Sequence, residues 1–254
     1  MIVREDAQHF ICIEQNHHAH LAKALLQPWF KGYLQDDALQ ASVLYAIEQH
    51  DVGWELFDQE PLWNDKKQAP YTFIDFPLLI KTVLYTKGVD LVEEVNPYAA
   101  ALCSKHYTKF LEKYDLAEVQ AYVKKETLRR KRIISAFPEV TEDRFHYHLG
   151  LLQLADNMSL FLCLHEGGNN EERHRYFQKG IPIPAPVDIK EQKTMKVHWQ
   201  DSCTLEIEAL HKVEPFTLVL KEKHLPKTQI AAEGLQETYK QVPYQERRIT
   251  VLSR

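Results

Sequence analysis

The sequence predicts a mainly α-helical core carrying an accessory antiparallel β-sheet, so α+β overall. The 254-residue chain contains only 8 Gly, too few for the many tight turns of an all-β domain. From Leu78 to Leu164, apolar residues recur at helical spacing almost without interruption. Both ends of the chain instead alternate apolar with polar residues, the period of half-buried strands.

Met1 to Gln15 reads as a β-hairpin, because the runs Ile2-Val3 and Phe10-Ile11-Cys12-Ile13 flank the polar stretch Arg4 to Gln8. The period then becomes helical. Asn16 suits an N-cap, and Leu21, Ala24 and Leu25 recur until Pro28 stops the run. A second helix is expected from Asp36 or Asp37, whose carboxylates favour a helix N-terminus, up to Gly53, with Val43, Ile47 and His50 on one face. Proline, Asn and aromatic residues between Trp54 and Pro77 predict a long ordered loop, a candidate lid or pocket wall. Within it Trp54, Asp58, Pro61 and Trp63 are expected to shape a pocket. Helices follow near 78–87, 97–113, 116–136 and 141–165, with Pro97 in a first turn, Asp115 as an N-cap and Pro138 as a break. Gly167-Gly168-Asn169-Asn170 ends the last of these, and Ile181-Pro-Ile-Pro-Ala-Pro186 reads as an extended linker. Lys196 to Leu210, Phe216 to Lys221 and Arg247 to Leu252 alternate as antiparallel strands, a sheet that the N-terminal hairpin is placed to join. The expected division is therefore a hairpin over 1–15, a helical domain over 16–180 and a β-rich region over 181–254, packed with that domain or beside it.

Composition narrows the function classes. A net charge of −5 disfavours nucleic acid as a partner, and the basic run Arg129 to Arg132 reads as a solvated helix face. Cys12, Cys103, Cys163 and Cys203 show no paired spacing, which argues against a zinc ribbon or redox dithiol and fits a reducing cytoplasm. With charged residues in the first ten and no run of the roughly 18 apolar residues that a span needs, neither a signal peptide nor a membrane helix is expected.

Histidine is the outlier, at 13 residues. On a helix His17 and His18 both sit one turn before Leu21, so at least one faces inward, and the sequence leaves open which. Ile47, His50 and Asp51 share a face, so an imidazole and a carboxylate emerge together beside the core. Asp156 is the one carboxylate in the apolar stretch Leu151 to Leu162, and burying it requires a partner or a cation. His106 is either a ligand of a second metal site, a general acid or base, or a half-exposed helix residue. His146 and His148 lie about 12 Å of helical rise below Asp156 and are expected to be structural or pocket-lining. A mixture of imidazole and carboxylate on separate helices suits a divalent transition metal.

This order and setting resemble the HD metal-dependent phosphohydrolase superfamily, whose first His, His-Asp doublet and final Asp share a metal inside a helical bundle. Leu154-Ala-Asp156-Asn-Met-Ser resembles its last motif. The chain is closer still to a bacterial family of unknown function, through His18 to Ala22, His50 to Trp54, Ala101 to His106 and Asp156 to Leu160. In the last of these Met158 stands where a Leu is more usual. The resemblance covers residues 10 to 165. It implies an HD-like core and a divalent ion (Mn, Fe, Zn or Mg) held by His18, His50, Asp51, His106 and Asp156. It also implies Asp51 and His106 in catalysis, with hydrolysis of a small phosphorylated or nucleotide-like substrate. Many HD hydrolases continue His-Asp-x-Gly-Lys, whereas this chain has Trp54 and no fixed positive charge at that position. Two other readings share the residues: an iron oxygenase on the same scaffold, and a non-catalytic pocket that binds a small ligand while the sheet docks a partner.

Overall fold

In the computed structural model, which describes residues 1–34, 37–171, 174–188, 190–208 and 212–254, the hairpin forms where the alternating runs predict it. β1 (Ile2–Glu5) pairs antiparallel with β2 (His9–Ile13). α1 (Gln15–Leu26) starts one residue before Asn16, and Asp58 serves its first turn instead, accepting the Asn16 N–H at 3.1 Å. α2 (Gln40–Gln49) follows Asp37, whose carboxylate accepts the Leu39 N–H at 2.7 Å. Asp36, the other expected start, lies outside the described residues.

Four longer helices come next: α3 (Leu78–Val95), α4 (Pro97–Leu111), α5 (Ala117–Ile134) and α6 (Glu142–Leu164). Asn96 caps α4 ahead of Pro97 by accepting the Ala99 N–H, and Thr141 caps α6 by accepting that of Arg144. Asp115 does not cap α5, which begins after Leu116 with no side-chain cap. α3 does not stop near 87 but runs through Gly88. A Cβ there would lie 3.0 Å from the Gly53 nitrogen, and one on Gly53 would lie 2.4 Å from the Leu84 carbonyl oxygen. These glycines let α3 touch the backbone after α2, so Gly88 spaces the helix instead of ending it.

The 54–77 segment is ordered, as expected, but not structureless. It carries short helical turns at Val52–Trp54 and Glu55–Gln59 and a two-residue pairing of Trp63–Asn64 with Ala69–Pro70. The expected linker at 181–186 is packed rather than free: Ile181–Pro182 pairs with Thr194–Met195, and Asn157 on α6 donates to the Pro182 carbonyl at 3.1 Å. The run from Lys196 breaks at a turn into β3 (Val197–Trp199) and β4 (Thr204–Ile207), while 209–210 lie outside the described residues. β5 (Phe216–Pro226) outlasts its expected end because Lys223 to Pro226 pair with β2. Before β6 (Gln245–Ser253) come two helices absent from the sequence expectation, α7 (Lys227–Glu233) and α8 (Leu235–Gln241). Seven residues are too few for a helical period to stand out. They are held by a small core that includes Met1, Phe10, Leu225 and Tyr239.

The hairpin does join the C-terminal strands, in the order β1-β2-β5-β6-β4-β3. The sheet is mixed rather than antiparallel throughout, because β6 runs parallel to β4. One hydrophobic core continues from Ile13 and Leu25 through Leu152 and Phe161 to Leu220 and Val251, so sheet and helices share it. α6 is its axis, buried on nearly all sides from His148 to Cys163. The basic run on α5 is solvated only in its second half: Lys131 and Arg132 are exposed, whereas Arg129 pairs with Asp90 and Glu93 of α3, and Arg130 donates to Ser104 and Thr108 of α4. Among the described residues, no helix is long and apolar enough to cross a membrane.

Candidate metal centre

Four helices deliver one side chain or one doublet each to a single point. On α1, His18 shares the inward face with Leu21, Ala22 and Leu25 and is fully buried. His17 faces the sheet instead, its Nε2 accepting the Lys221 N–H at 2.9 Å, which decides between the two. His50 and Asp51 follow the last turn of α2, His106 projects from α4 and Asp156 from α6. His18 Nε2 lies 3.2 Å from Asp156 Oδ1 and 3.7 Å from Asp51 Oδ2. His50 Nε2 lies 3.7 Å from Asp156 Oδ1 and 3.8 Å from Asp51 Oδ2. His106 Nε2 is 3.7 Å from Asp156 Oδ2.

The hydrogen bonds around the cluster assign its protons. His50 Nδ1 meets the Ile47 carbonyl at 2.7 Å, and a carbonyl only accepts, so Nδ1 carries the hydrogen. Ser159 donates its single hydroxyl hydrogen to the Asp156 carbonyl at 3.1 Å and therefore accepts from His18 Nδ1 at 2.7 Å. Were both rings neutral, each Nε2 would be a bare lone pair, and these two nitrogens face each other at 3.3 Å. Two lone pairs held that close between two carboxylates require a positive charge there, supplied by a proton on His50 or by a metal ion. Orienting bonds of this kind on the far ring nitrogen are the usual support of metal-binding histidines.

Electrostatics states the same demand. Burial would lower the His50 pKa, but Asp51 and Asp156 outweigh it and push it up to about 9. Burial raises Asp51. It would also raise Asp156, yet hydrogen bonds with His18 and His50 reverse this and hold that carboxyl far below the usual range. His106 is pushed down to about 3 by burial, and its Nδ1 is buried without a partner.

His18, His50 and Asp51 offer ligand atoms within 4.8 Å of one another, and so do His50, His106 and Asp156. These buried groups could hold a metal ion, and imidazole with carboxylate is a donor set that fits one. All but His50 line a pocket of about 450 Å³, which Trp54, Phe73 and Ile74 wall from the 54–77 segment. Asp58, Pro61 and Trp63 do not line it. Asp58 pairs with the Met1 amino group at 2.9 Å, and Trp63 packs edge-on against Phe10.

Residues 1–227 match the family model described as Protein of unknown function (DUF3891). The chain belongs to that family. No curated protein and no solved structure matches it. The match takes in all four ligand-bearing helices and ends at the first residue of α7, so DUF3891 includes β1, β2 and β5 as well as the histidine cluster.

Two residues of this DUF3891 site escaped sequence reasoning. Gln15 donates to Asp51 Oδ2 at 2.8 Å, and nothing local marks it. Ser159, which sets the His18 tautomer, had a usable signal: it lies three positions after Asp156, on the same helical face. His148 takes no part in the cluster. It is buried between the Tyr98 hydroxyl at 2.7 Å and Asp37 at 3.1 Å, while His146 is half-buried.

Proposed function

We propose that this chain is a metal-dependent hydrolase with an HD-like helical core, acting on a small phosphorylated or nucleotide-like substrate. The observation that carries the reading is the pair of imidazole nitrogens 3.3 Å apart beside Asp51 and Asp156, the two carboxylates that line a substrate-sized pocket. His18, His50, Asp51 and Asp156 would hold a divalent ion, with His106 as a further ligand or as the group that moves a proton. Such an ion supplies Lewis acidity toward a phosphoryl oxygen and acidifies a water. The chain's own residues prepare that chemistry. Ser159 and the Ile47 carbonyl orient the two imidazoles, Gln15 fixes Asp51, and Trp54 and Phe73 wall the pocket beside the cluster. His106, kept neutral by burial, offers a lone pair to an ion.

The donor set also suits iron, so an oxygenase would use the same residues and differ in its metal. Elemental analysis of protein purified without an affinity tag, followed by phosphoester and oxygen-uptake screens, separates the readings. The expected result is stoichiometric metal and phosphoester hydrolysis, both lost in Asp51→Asn while the circular dichroism spectrum is kept. Iron with oxygen uptake but no hydrolysis selects the oxygenase. Metal without either activity selects the non-catalytic pocket, and protein that binds no metal overturns both enzyme readings.

A further inference from the structure

Three cations line the pocket beside the histidine cluster: Lys81 on α3, Lys113 two residues past α4, and Arg175 in the segment after α6. Among the described residues, each has only neutral partners. Lys81 Nζ donates to the Ile74 carbonyl at 3.3 Å. Lys113 Nζ lies 5.1 Å from the centre of the Tyr114 ring, and the Arg175 guanidinium stands 5.1 Å from that of Tyr176 and donates to its hydroxyl at 3.3 Å. Asp75, the carboxylate that acts on Lys81, is already committed: Lys67 pairs with it at 2.7 Å, and Thr72 donates to it from backbone and hydroxyl.

The carboxylates that line the pocket, Asp51 and Asp156, belong to the cluster. With a divalent ion there they are balanced, and three positive charges remain uncompensated in a chain whose net charge is −5. Leaving a half-buried ammonium such as Lys81 without a counter-ion is unfavourable. Burial lowers its pKa and the charge of Lys113 adds to that, so the two cations act on the same space. Around them Phe110, Tyr114 and Tyr176 are 40–46% exposed, an apolar rim where rings would normally be covered.

We infer that Lys81, assisted by Lys113 and Arg175, is the anion-recognising arm of this pocket, and that the ligand is a small phosphate ester carrying a flat apolar group. The cations take the phosphate and the exposed rings take the flat group. The arm stands in for the lysine that the His50-Asp51-x-Gly-Trp54 sequence lacks, from a different helix. Its role is specificity, and it deepens the hydrolase reading of the same pocket.

The test is calorimetric titration of manganese-loaded and metal-free protein with adenosine 5′-monophosphate, adenosine and inorganic phosphate. Wild type should bind the monophosphate at least tenfold more tightly than either fragment. Lys81→Gln should weaken it about tenfold and Lys81→Gln/Lys113→Gln further, with manganese stoichiometry unchanged. Rising salt should weaken wild type more than the double variant. Equal affinity in the double variant, adenosine or phosphate binding as tightly as the monophosphate, loss of manganese from either variant, or no binding to loaded wild type overturns the inference. Lys81-dependent binding by protein that takes up no metal would sink the hydrolase reading and leave this one standing.

Discussion

α6 carries two buried clusters of similar composition, one at His148 and one at Asp156, about 12 Å apart by helical rise. At His148 the polar atoms close on themselves. Tyr98 donates to His148 Nδ1, His148 Nε2 donates to Asp37, and Arg144 pairs with Asp37 at 2.8 Å, so hydrogens and charges balance within the protein. At Asp156 they do not: two imidazole Nε2 atoms meet at 3.3 Å and need one added positive charge, a proton on His50 or a metal ion, and His106 Nδ1 has no partner. Buried histidine and aspartate therefore say little by themselves. What marks a cation site is the hydrogen-bond count that comes out one positive charge short.

The largest effect that would break this contrast is metal dependence. A divalent ion at a thousandfold excess over its dissociation constant should stabilise the protein by about 4 kcal/mol, which for a chain of this size raises the melting temperature by roughly 10 °C. Melts in chelator and in Mn²⁺, Zn²⁺ or Fe²⁺ measure it. The shift should vanish in His50→Ala and persist in Tyr98→Phe. No shift in stripped wild type would make the Asp156 cluster a metal-free network like its neighbour.

Tyr98→Phe is expected to cost about 1–3 kcal/mol by urea unfolding, because it leaves His148 Nδ1 buried without its donor. Metal content should not change. A loss of bound metal in this variant would show that the two clusters are coupled along α6.

The smallest effect sharpens the contrast by its sign. His148 is lowered, first by burial, so its neutral form belongs to the folded state. Stability falls as pH drops below about 6.5, where the unfolded histidine takes up a proton. Burial would raise Asp37, but Arg144 and the Leu39 N–H hold it below its ordinary value, so its contribution is lost in turn as pH falls below about 4. His50 runs the other way. Raised to about 9 in metal-free protein, it contributes fully below about 6.5 and loses that contribution as pH rises through 9. Urea midpoints from pH 4 to 10 in chelator should therefore fall at both ends. Asp37→Asn, which removes the charge that raises His148, should steepen the acid limb, and added metal should flatten the alkaline one. A single-sided profile would contradict the assignment.

Much of this was legible in the sequence because it is local. A period of two marked the hairpin and the strands, a period of 3.6 marked the long helices, and Pro97 marked a first turn that the backbone uses. His50 and Asp51 on one face beside the core, and a lone Asp156 in an apolar helix, were enough to nominate a shared site. The rest depended on what each residue meets far along the chain. His18 and His17 are equivalent one turn before Leu21, and only the Lys221 backbone on β5 separates them. The helix expected near 78–87 runs on through Gly88 because Gly53 packs against it, and the parallel pairing of β6 with β4 leaves no mark in either strand. The proton positions on His18 and His50 depend on Ser159 and the Ile47 carbonyl, and Lys81 comes to the cluster from a helix with no motif. Periodicity specifies which face of an element is buried, within a turn or a strand pair. Which buried faces then meet, and whether their charges sum to zero, is decided only when the helices close around α6.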